Sequence, residues 1–306
     1  MPACCRVAAK GPNWIKLERL LNYDLRLHWK PYVYRYSPEV QHSGFESFTV
    51  RFAHGFYPEH HTAYGFNGLG IYDSGNCWIR NVKVVNADNA IGAFRSEFVS
   101  VRGVTVSVEK PRYTKSTFPA NGHHALWGSG AVLTEFSGFR ITTQYMHDIT
   151  FSVFAENLVF ANGQMLDGNI DFHRGGPHNN LASNINLGRG TRAFHSGGNT
   201  VRGTHAAANN TVWNVGPASK RQVALPGCDF GPHLVFVGSY APPTPGAEGD
   251  SNSGDRRRRS LLASPQLTGW CRQRRWWVED VPTTQQLLPR DLYAAMVATR
   301  RNRIRG

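Results

Sequence analysis

Short runs of apolar and β-branched residues recur along the chain, and within each run apolar and polar positions alternate. This alternation puts one row of side chains in a core and the next row outside, as in a half-buried β-strand. Gly, Asn or Asp bounds each run, and these residues favour turns. The predicted strands are residues 48–52, 78–85, 98–102, 104–108, 149–154 and 211–215.

The strand-like runs repeat at a nearly constant spacing. The motif FHRGG at 172–176 returns as FHSGG at 194–198, and IRNV at 79–82 returns as VRGV at 101–104, each 22 residues later. A period of this length is typical of a solenoid, and the LxxLxLxxN pattern of leucine-rich repeats is absent. We therefore predict an all-β fold, namely a right-handed parallel β-helix with coils of about 22 residues.

The repeat divides the chain into four predicted segments. Residues 1–43 form an N-terminal extension, 44–240 the parallel β-helix, 241–265 a disordered linker or insertion, and 266–306 a C-terminal segment. Apolar residues at helical spacing within 289–304 predict a short helix that caps the last coil. Residues 55–67 and 110–122 interrupt the repeat, and long loops on a solenoid commonly form or shield a binding groove.

Asparagine is frequent between residues 157 and 214. Its side chain tolerates left-handed backbone and bonds its own chain, so these residues are predicted to form coil corners. Stacked Asn side chains can also satisfy one another between coils.

The positive charge is concentrated near the C-terminus. Of the formal net charge of +13, residues 253–306 contribute +8, through 12 arginines against 4 acidic residues. Such a basic tail is either of little consequence or attracts a polyanion, which could be nucleic acid or an acidic polysaccharide. The body of the chain is only mildly basic, so charge does not decide function and nucleic acid is not the expected partner.

Cysteines and apolar stretches exclude several classes of protein. The five cysteines include no CxxC pair, so neither a disulfide framework nor a metal site is predicted, and calcium is possible but not indicated. The sequence contains no stretch of 18 apolar residues, so no membrane span is predicted. The first residues do not resemble a signal peptide, so we expect either an intracellular protein or a chain whose true start is missing.

The coils, Asn corners and interrupting loops resemble the pectin-lyase-like β-helix superfamily, and most closely a group of bacterial and algal β-helix proteins. The resemblance covers roughly residues 16–216 and 289–293. It implies a carbohydrate-active protein that is extracellular or in the cell wall and monomeric. The superfamily holds lyases, hydrolases and non-enzymatic members. The matching stretches are YDLRLHWKP (23–31), NCWIRNV (76–82), NADN (86–89), GHH (122–124), HDIT (147–150), HR (173–174), GTR (190–192), SGG (196–198), GTH (203–205) and WN (213–214).

With this resemblance, a polysaccharide lyase is the first hypothesis. Such an enzyme neutralises a uronate carboxylate, with Arg, Lys or a metal, and removes the C5 proton with a base. The window 171–205 concentrates His and Arg at coil spacing. In this reading Arg174 or Arg192 contacts the uronate and His173 or His205 is the base. The predicted catalytic residues are Asp171, His173, Arg174, Arg192 and His205.

Four further residues are predicted to bind substrate: His123, His124, His195 and Arg202. His173 and His195 share one repeat phase, so outward-pointing rings would lie roughly 4.8 Å apart on neighbouring coils. His123 and His124 end the second interrupting loop, at the rim of the expected groove.

Two alternatives remain open. A glycoside hydrolase needs two carboxylates about 5–10 Å apart, and the candidates are Asp148, Glu156, Asp167 and Asp171. The second alternative is a non-catalytic glycan-binding or structural cell-wall protein. In that case the same His and Arg residues serve turns and bridges between coils.

Overall fold

The computed structural model describes residues 5–58, 61, 65–113, 119–227, 229–241, 275–282 and 284–305. They form mostly β-strands in parallel sheets, with one short C-terminal α-helix, which confirms the predicted all-β parallel architecture. The predicted linker over 241–265 lies outside the described residues from residue 242 onward.

The strands are numbered in chain order, and α1 is the helix Leu292–Arg305. Two 3₁₀ turns cover Leu27–Trp29 and Thr200–Arg202. The strands are β1 (Val7–Gly11), β2 (Trp14–Leu17), β3 (Val40–Gln41), β4 (Gly44–Glu46), β5 (Thr49–Arg51), β6 (Asn67–Tyr72), β7 (Ser74–Gly75), β8 (Trp78–Arg80), β9 (Lys83–Val85), β10 (Asn89–Phe94), β11 (Ser100–Arg102), β12 (Thr105–Ser107), β13 (His124–Ser129), β14 (Glu135–Ser137), β15 (Arg140–Ile141), β16 (His147–Ser152), β17 (Val159–Met165), β18 (Ile170–Phe172), β19 (Leu181–Asn186), β20 (Thr211–Gly216), β21 (Val223–Ala224), β22 (Val235–Gly238), β23 (Tyr240–Ala241) and β24 (Trp277–Asp280).

Five of the described strands form one parallel sheet, in the order β6, β10, β13, β16 and β18. Its buried row runs from Ile91 through Leu126 and Ile149 to Ile170, at steps of 35, 23 and 21 residues. The long step is one coil of 22 residues lengthened by the 13 residues of the predicted loop 110–122. The predicted repeat therefore continues in register across this insertion.

A larger parallel sheet contains 13 of the described strands. One ladder runs from β4 through β8, β11, β14, β17, β19, β20 and β22 to β24, and a second ladder of β5, β9, β12 and β15 joins it at β17. Both sheets contribute to one apolar core, in which the stacked pair Phe151 and Phe172 has ring centroids 5.0 Å apart. A further row of isolated parallel bridges joins, each to the next, the residues Gly75, Glu97, Val132, Glu156 and His178.

Asparagine occupies the corners, as predicted. Asn157, Asn179 and Asn209 have φ between 53° and 61°, in the left-handed region. Asn184 donates to Asn162 and accepts from Asn214, at 2.6 and 3.0 Å, so a ladder of amides runs across successive strands. These bonds satisfy side chains that the strands leave outside the core.

Arg112 fastens the two interrupting loops to the same coil. Its side chain is fully buried and forms an ion pair with Asp88 at 2.7 Å. The guanidinium also donates to the carbonyls of Gly55 at 2.9 Å and Asn121 at 3.1 Å. The Asp88 carboxylate accepts from the backbone of Gly65 at 3.0 Å. One buried cation therefore anchors both loops next to the start of β13.

Helix α1 exists as predicted, but its first turn does not lie over the last strands. Asp291 accepts hydrogen bonds from Asn162 at 2.5 Å and Ser183 at 3.0 Å, and Ser183 accepts from the backbone of Leu292 at 3.0 Å. Asn162 belongs to β17 and Ser183 to β19, in the middle of the larger sheet. The predicted placement of the helix as a cap on the final coil is therefore wrong, because a specific polar contact holds it at the side of the sheet.

Docking of α1 is expected to weaken in acid. Burial alone would raise the pKa of Glu135, but hydrogen bonds from Arg102, Tyr293 and Ser100 outweigh burial and hold the pKa below 4.5. A lowered pKa stabilises the native state above the unfolded value of 4.5, and this contribution is lost as the pH falls through the folded value. Hydrogen exchange of the α1 amides, corrected for intrinsic rates, should therefore speed up between pH 6 and pH 4.

Glu135→Gln should speed exchange in α1 at pH 6 and remove most of its additional increase at pH 4. Glu109→Gln, at an exposed carboxylate paired with Arg51, is the matched control. Equal corrected exchange at the two pH values in the parent protein would contradict the role of Glu135.

Candidate functional site

Four histidines gather beside strands β13, β16 and β18 of the five-stranded sheet. His124 and His147 are register partners on β13 and β16, and their stacked rings have centroids 4.7 Å apart. His123 precedes His124 with a centroid distance of 4.2 Å, and His173 follows β18 with its ring 4.7 Å from that of His147. The parallel register therefore brings together residues from three coils. We call His123, His124, His147, Asp171 and His173 the histidine cluster.

Asp171 is the fully buried centre of the cluster. Its Oδ2 lies 2.8 Å from Nδ1 of His173 and 3.1 Å from Nδ1 of His147. The same oxygen accepts from the Thr150 hydroxyl at 3.2 Å, and Oδ1 accepts from the backbone N–H of Gly197 at 2.9 Å. One carboxylate thus orients His173 directly and lies within ion-pair distance of His147.

The Thr150 hydroxyl extends this network to a third imidazole. Its hydrogen is donated to Asp171, so its oxygen accepts from Nδ1 of His124 at 3.0 Å. His124 and His173 are both hydrogen-bonded through Nδ1. This arrangement assigns the proton to Nδ1 of these two rings and leaves Nε2 of each as the basic nitrogen.

Asp171 and His173 shift each other's pKa. Burial would raise the pKa of Asp171, but the charge and hydrogen bond of His173 outweigh it and lower the pKa below 3.8. Burial would lower the pKa of His173, but Asp171 outweighs it and raises the pKa above 6.5, against the positive charges of Arg202 and Arg174. His173 is the more accessible partner, with 17% of its side chain exposed.

A groove of about 210 Å³ leads along β6, β10 and β13 to the cluster. Aromatic rings follow one another along it: Tyr72 stacks on Phe94 at 4.5 Å, Phe94 meets Trp127 edge-on at 4.9 Å, and Trp127 stacks on His124 at 4.1 Å. Gly92 lies beneath Phe94, since a Cβ at Gly92 would stand 2.3 Å from that ring. The groove is lined by Asn67, Gly68, Leu69, Gly70, Tyr72, Asn89, Ile91, Gly92, Phe94, His124 and Trp127.

His205 and Arg174 form a second polar group below the cluster. His205 is completely buried, with Nδ1 3.2 Å from the carbonyl of Phe172 and Nε2 3.2 Å from Asp229. Arg174 is nearly buried, contacts Nε2 of His205 at 3.0 Å and donates to the carbonyl of Gly203. The predicted catalytic His205 therefore lies in the interior, away from the groove lining, and its partner Asp229 was not among the predicted residues.

Arg192 is also committed to the interior. Its guanidinium donates to the carbonyls of Asp167 at 2.8 Å, Met146 at 3.2 Å and Tyr145 at 2.9 Å, and forms a buried ion pair with Asp148. Burial raises the pKa of Asp148 to about 6, against the opposing charge of Arg192. Arg192 thus bridges coils, and the structure does not bring it into the groove.

His173 and His195 were predicted as a pair, and the structure places a third histidine, His147, beside His173. The chain leaves regular strand geometry after β18, and Gly197 packs so closely that a Cβ there would lie 3.0 Å from the His173 ring. His195 is half-buried, and its carbonyl accepts from Asn169 at 2.6 Å. Arg202 is exposed, in the 3₁₀ turn after Gly198.

Sequence reasoning missed His147 as a site residue. The signal was present, because His147 follows His124 by 23 residues, one coil of the same repeat. Trp127 and Thr150 had no such signal, because an aromatic or β-branched residue in a strand is first expected to pack.

Comparison of the chain with protein-family models, with curated proteins and with solved structures yields no match. Within the described part of the chain, no helix combines the length and apolarity needed to cross a membrane. The chemistry of the cluster and its groove is therefore what indicates the function.

Proposed function

We propose that the chain is a carbohydrate-active, right-handed parallel β-helix protein that cleaves an acidic polysaccharide by β-elimination. The helical arrangement is supported by register partners that recur at 21 to 23 residues within the two sheets. Parallel strands joined by crossovers are almost always right-handed. The single observation that carries the function is the aromatic groove that reaches His124, whose ring centroid lies 5.5 Å from that of His173.

The groove fits a sugar chain. Tyr72, Phe94 and Trp127 present a continuous row of ring surfaces, against which the apolar faces of pyranose rings can pack. Asn67 and Asn89, hydrogen-bonded to each other at 2.8 Å, add amides to its wall. Such a combination of flat apolar surface and amide groups suits a polymer of hydroxylated rings.

The proposed β-elimination needs two groups, a base and a cation. His173, oriented through Nδ1 by Asp171, takes the C5 proton of a uronate through Nε2. Arg202 neutralises the carboxylate, because Arg174 and Arg192 are engaged in buried bonds. As the C5–H bond breaks, a C4=C5 double bond forms, the C4–O bond breaks, and solvent protonates the leaving oxygen. Every atom and electron pair is accounted for without a further reactant.

Hydrolysis has less support, since the four candidate carboxylates are structural. Asp171 and Asp148 are fully buried in hydrogen bonds, and Asp167 accepts from the backbone of Thr191 at 2.9 Å. Glu156 is buried beneath Arg19 at 3.1 Å. A hydrolase would need one of these groups to act as an accessible acid and a second to act opposite it.

A panel of uronate polymers should distinguish the mechanisms. Lyase action releases unsaturated products that absorb in the ultraviolet, with one new reducing end for each double bond. New reducing ends without ultraviolet absorbance would overturn β-elimination in favour of hydrolysis. Binding of a polymer without either product would favour the non-catalytic glycan-binding alternative.

Trp127→Ala is expected to weaken oligosaccharide binding about tenfold, roughly 1.4 kcal/mol, because it removes the central ring of the groove. Affinity can be measured by calorimetry with the best polymer from the panel. Trp29→Ala is the matched control, since Trp29 is half-exposed and outside the groove lining. Equal loss in both variants would contradict the groove assignment.

A further inference from the structure

We propose that His123, His124 and His147 bind one first-row transition-metal ion, with zinc as the reference ion. The inference is independent of polysaccharide cleavage and holds whether or not the chain turns over a glycan. One ligand nitrogen from each of the three imidazoles lies within 4.8 Å of the other two. Rotation of the stacked His124 and His147 rings would bring three such nitrogens to one ion, at the usual zinc–nitrogen distance of about 2.0–2.1 Å.

The donor set selects the kind of ion. Imidazole nitrogens suit zinc, copper, nickel and iron, whereas calcium and magnesium require oxygen ligands. The ligand nitrogens of the proposed site are all from histidine, and His124 and His147 are almost fully buried. Three neutral imidazoles that converge in a buried place are a favourable set of ligands for a divalent transition-metal ion.

The surroundings of the three rings are those of a metal centre. Metal-bound histidines usually donate their other N–H to a carboxylate or another acceptor, which fixes the ring and raises its basicity. His124 bonds Thr150 through Nδ1, Thr150 is itself bonded to Asp171, and Nδ1 of His147 lies 3.1 Å from the Asp171 carboxylate. Asp171 is therefore a positioning residue: it holds His124 through Thr150 and places a negative charge beside His147.

The proposed site also has access. His124 lines the groove and His123 is partly exposed, so the ion would reach the groove end of the cluster. Three protein ligands leave a fourth position for water or for an oxygen of a bound molecule, as in catalytic zinc sites. This distinguishes the site from a closed structural centre with four protein ligands.

A second arrangement of ligands shares one residue with the first. His147, Asp171 and His173 also place one ligand atom each within 4.8 Å of one another. A metal in that position would displace the hydrogen bond between Asp171 and His173. We therefore assign the ion to the all-histidine set, and the two sets predict different mutational effects.

The test is metal binding by the full chain after removal of metal with a chelator. Calorimetry with zinc chloride should give one ion per chain, and cobalt(II) should give the visible absorption of a nitrogen-ligated ion. His147→Gln and His123→Gln should weaken zinc binding by more than about 100-fold, and Asp171→Asn by about 10- to 100-fold. His28→Gln is the matched control, since His28 is exposed in an N-terminal turn, and its affinity should equal that of the parent.

His123→Gln keeps the test valid if buried variants misfold, because His123 is only partly buried, and circular dichroism checks each protein. Absence of zinc binding by the parent below about 100 μM, a loose limit that corresponds to roughly −5.5 kcal/mol, would overturn the proposal. Zinc binding that is unchanged in both His123→Gln and His147→Gln would also overturn it. Loss of binding in His173→Gln with none in His123→Gln would assign the ion to the other set and reject the ligands proposed here.

Discussion

His173→Gln is expected to lower turnover of the uronate polymer by about 10²- to 10⁴-fold, the usual contribution of a positioned general base. The substitution keeps a side chain of similar length that still reaches Asp171, but it removes the basic Nε2. Glycan affinity should change little, because the ring surfaces of the groove remain. The measurement is the initial rate of ultraviolet absorbance at saturating polymer, together with the polymer's Kd.

His233→Gln serves as the control for this loss, since His233 is exposed and distant in sequence from the cluster. A His173→Gln protein that keeps the parental turnover number would place the base elsewhere. If His173→Gln loses its glycan affinity and its folded signal together, the site has collapsed, and the loss of turnover does not report the loss of a base.

Arg192→Ala is expected to destabilise the fold by about 3–5 kcal/mol, the range measured when one partner of a buried ion pair is removed. The Asp148 carboxylate would remain fully buried without its cation, and three backbone carbonyls would lose a donor. Urea denaturation followed by tryptophan fluorescence gives the free energy of unfolding.

The matched control is Arg189→Ala. Arg189 lies 3.5 Å from Asp167 but is 61% exposed, so its loss should cost no more than about 1 kcal/mol. Replacing Arg192 and Asp148 together by leucine should recover much of the stability lost in Arg192→Ala, because no unpaired charge remains. A decrease below about 1 kcal/mol for Arg192→Ala alone would contradict its role as a buried bridge.

The repeating part of the fold was predictable because neighbouring parallel strands recur at a nearly constant spacing along the chain. Ile79 and Val101, 22 residues apart, are register partners on β8 and β11. Asn157 and Asn179 occupy left-handed corners for the same local reason. Asp171 and His173 were likewise found from one coil, because an acid and an imidazole two residues apart on a strand end are neighbours whatever the rest of the chain does.

The remaining features depend on contacts that no local pattern encodes. Arg192 donates to the carbonyl of Met146, 46 residues away. It can connect these two segments only because strands that are distant in sequence lie side by side. Asp229 meets His205 after an irregular stretch, and Asp291 meets Ser183 across 108 residues. A repeat also misled us where it ended: Phe194 matches Phe172 in sequence, but Phe172 stacks on Phe151 and Phe194 contacts Phe236.

Arg112 connects the two interrupting loops to the histidine cluster. Its guanidinium is shared by the first loop through Gly55, the second loop through Asn121, and the coil through Asp88. The backbone N–H groups of His123 and His124 bond the carbonyl of the same Asp88, at 2.7 and 3.3 Å. Both loops and the first two imidazoles are thus held by one buried pair, Arg112 and Asp88. A displacement of either loop at its anchor is therefore expected to reach the histidines through that pair.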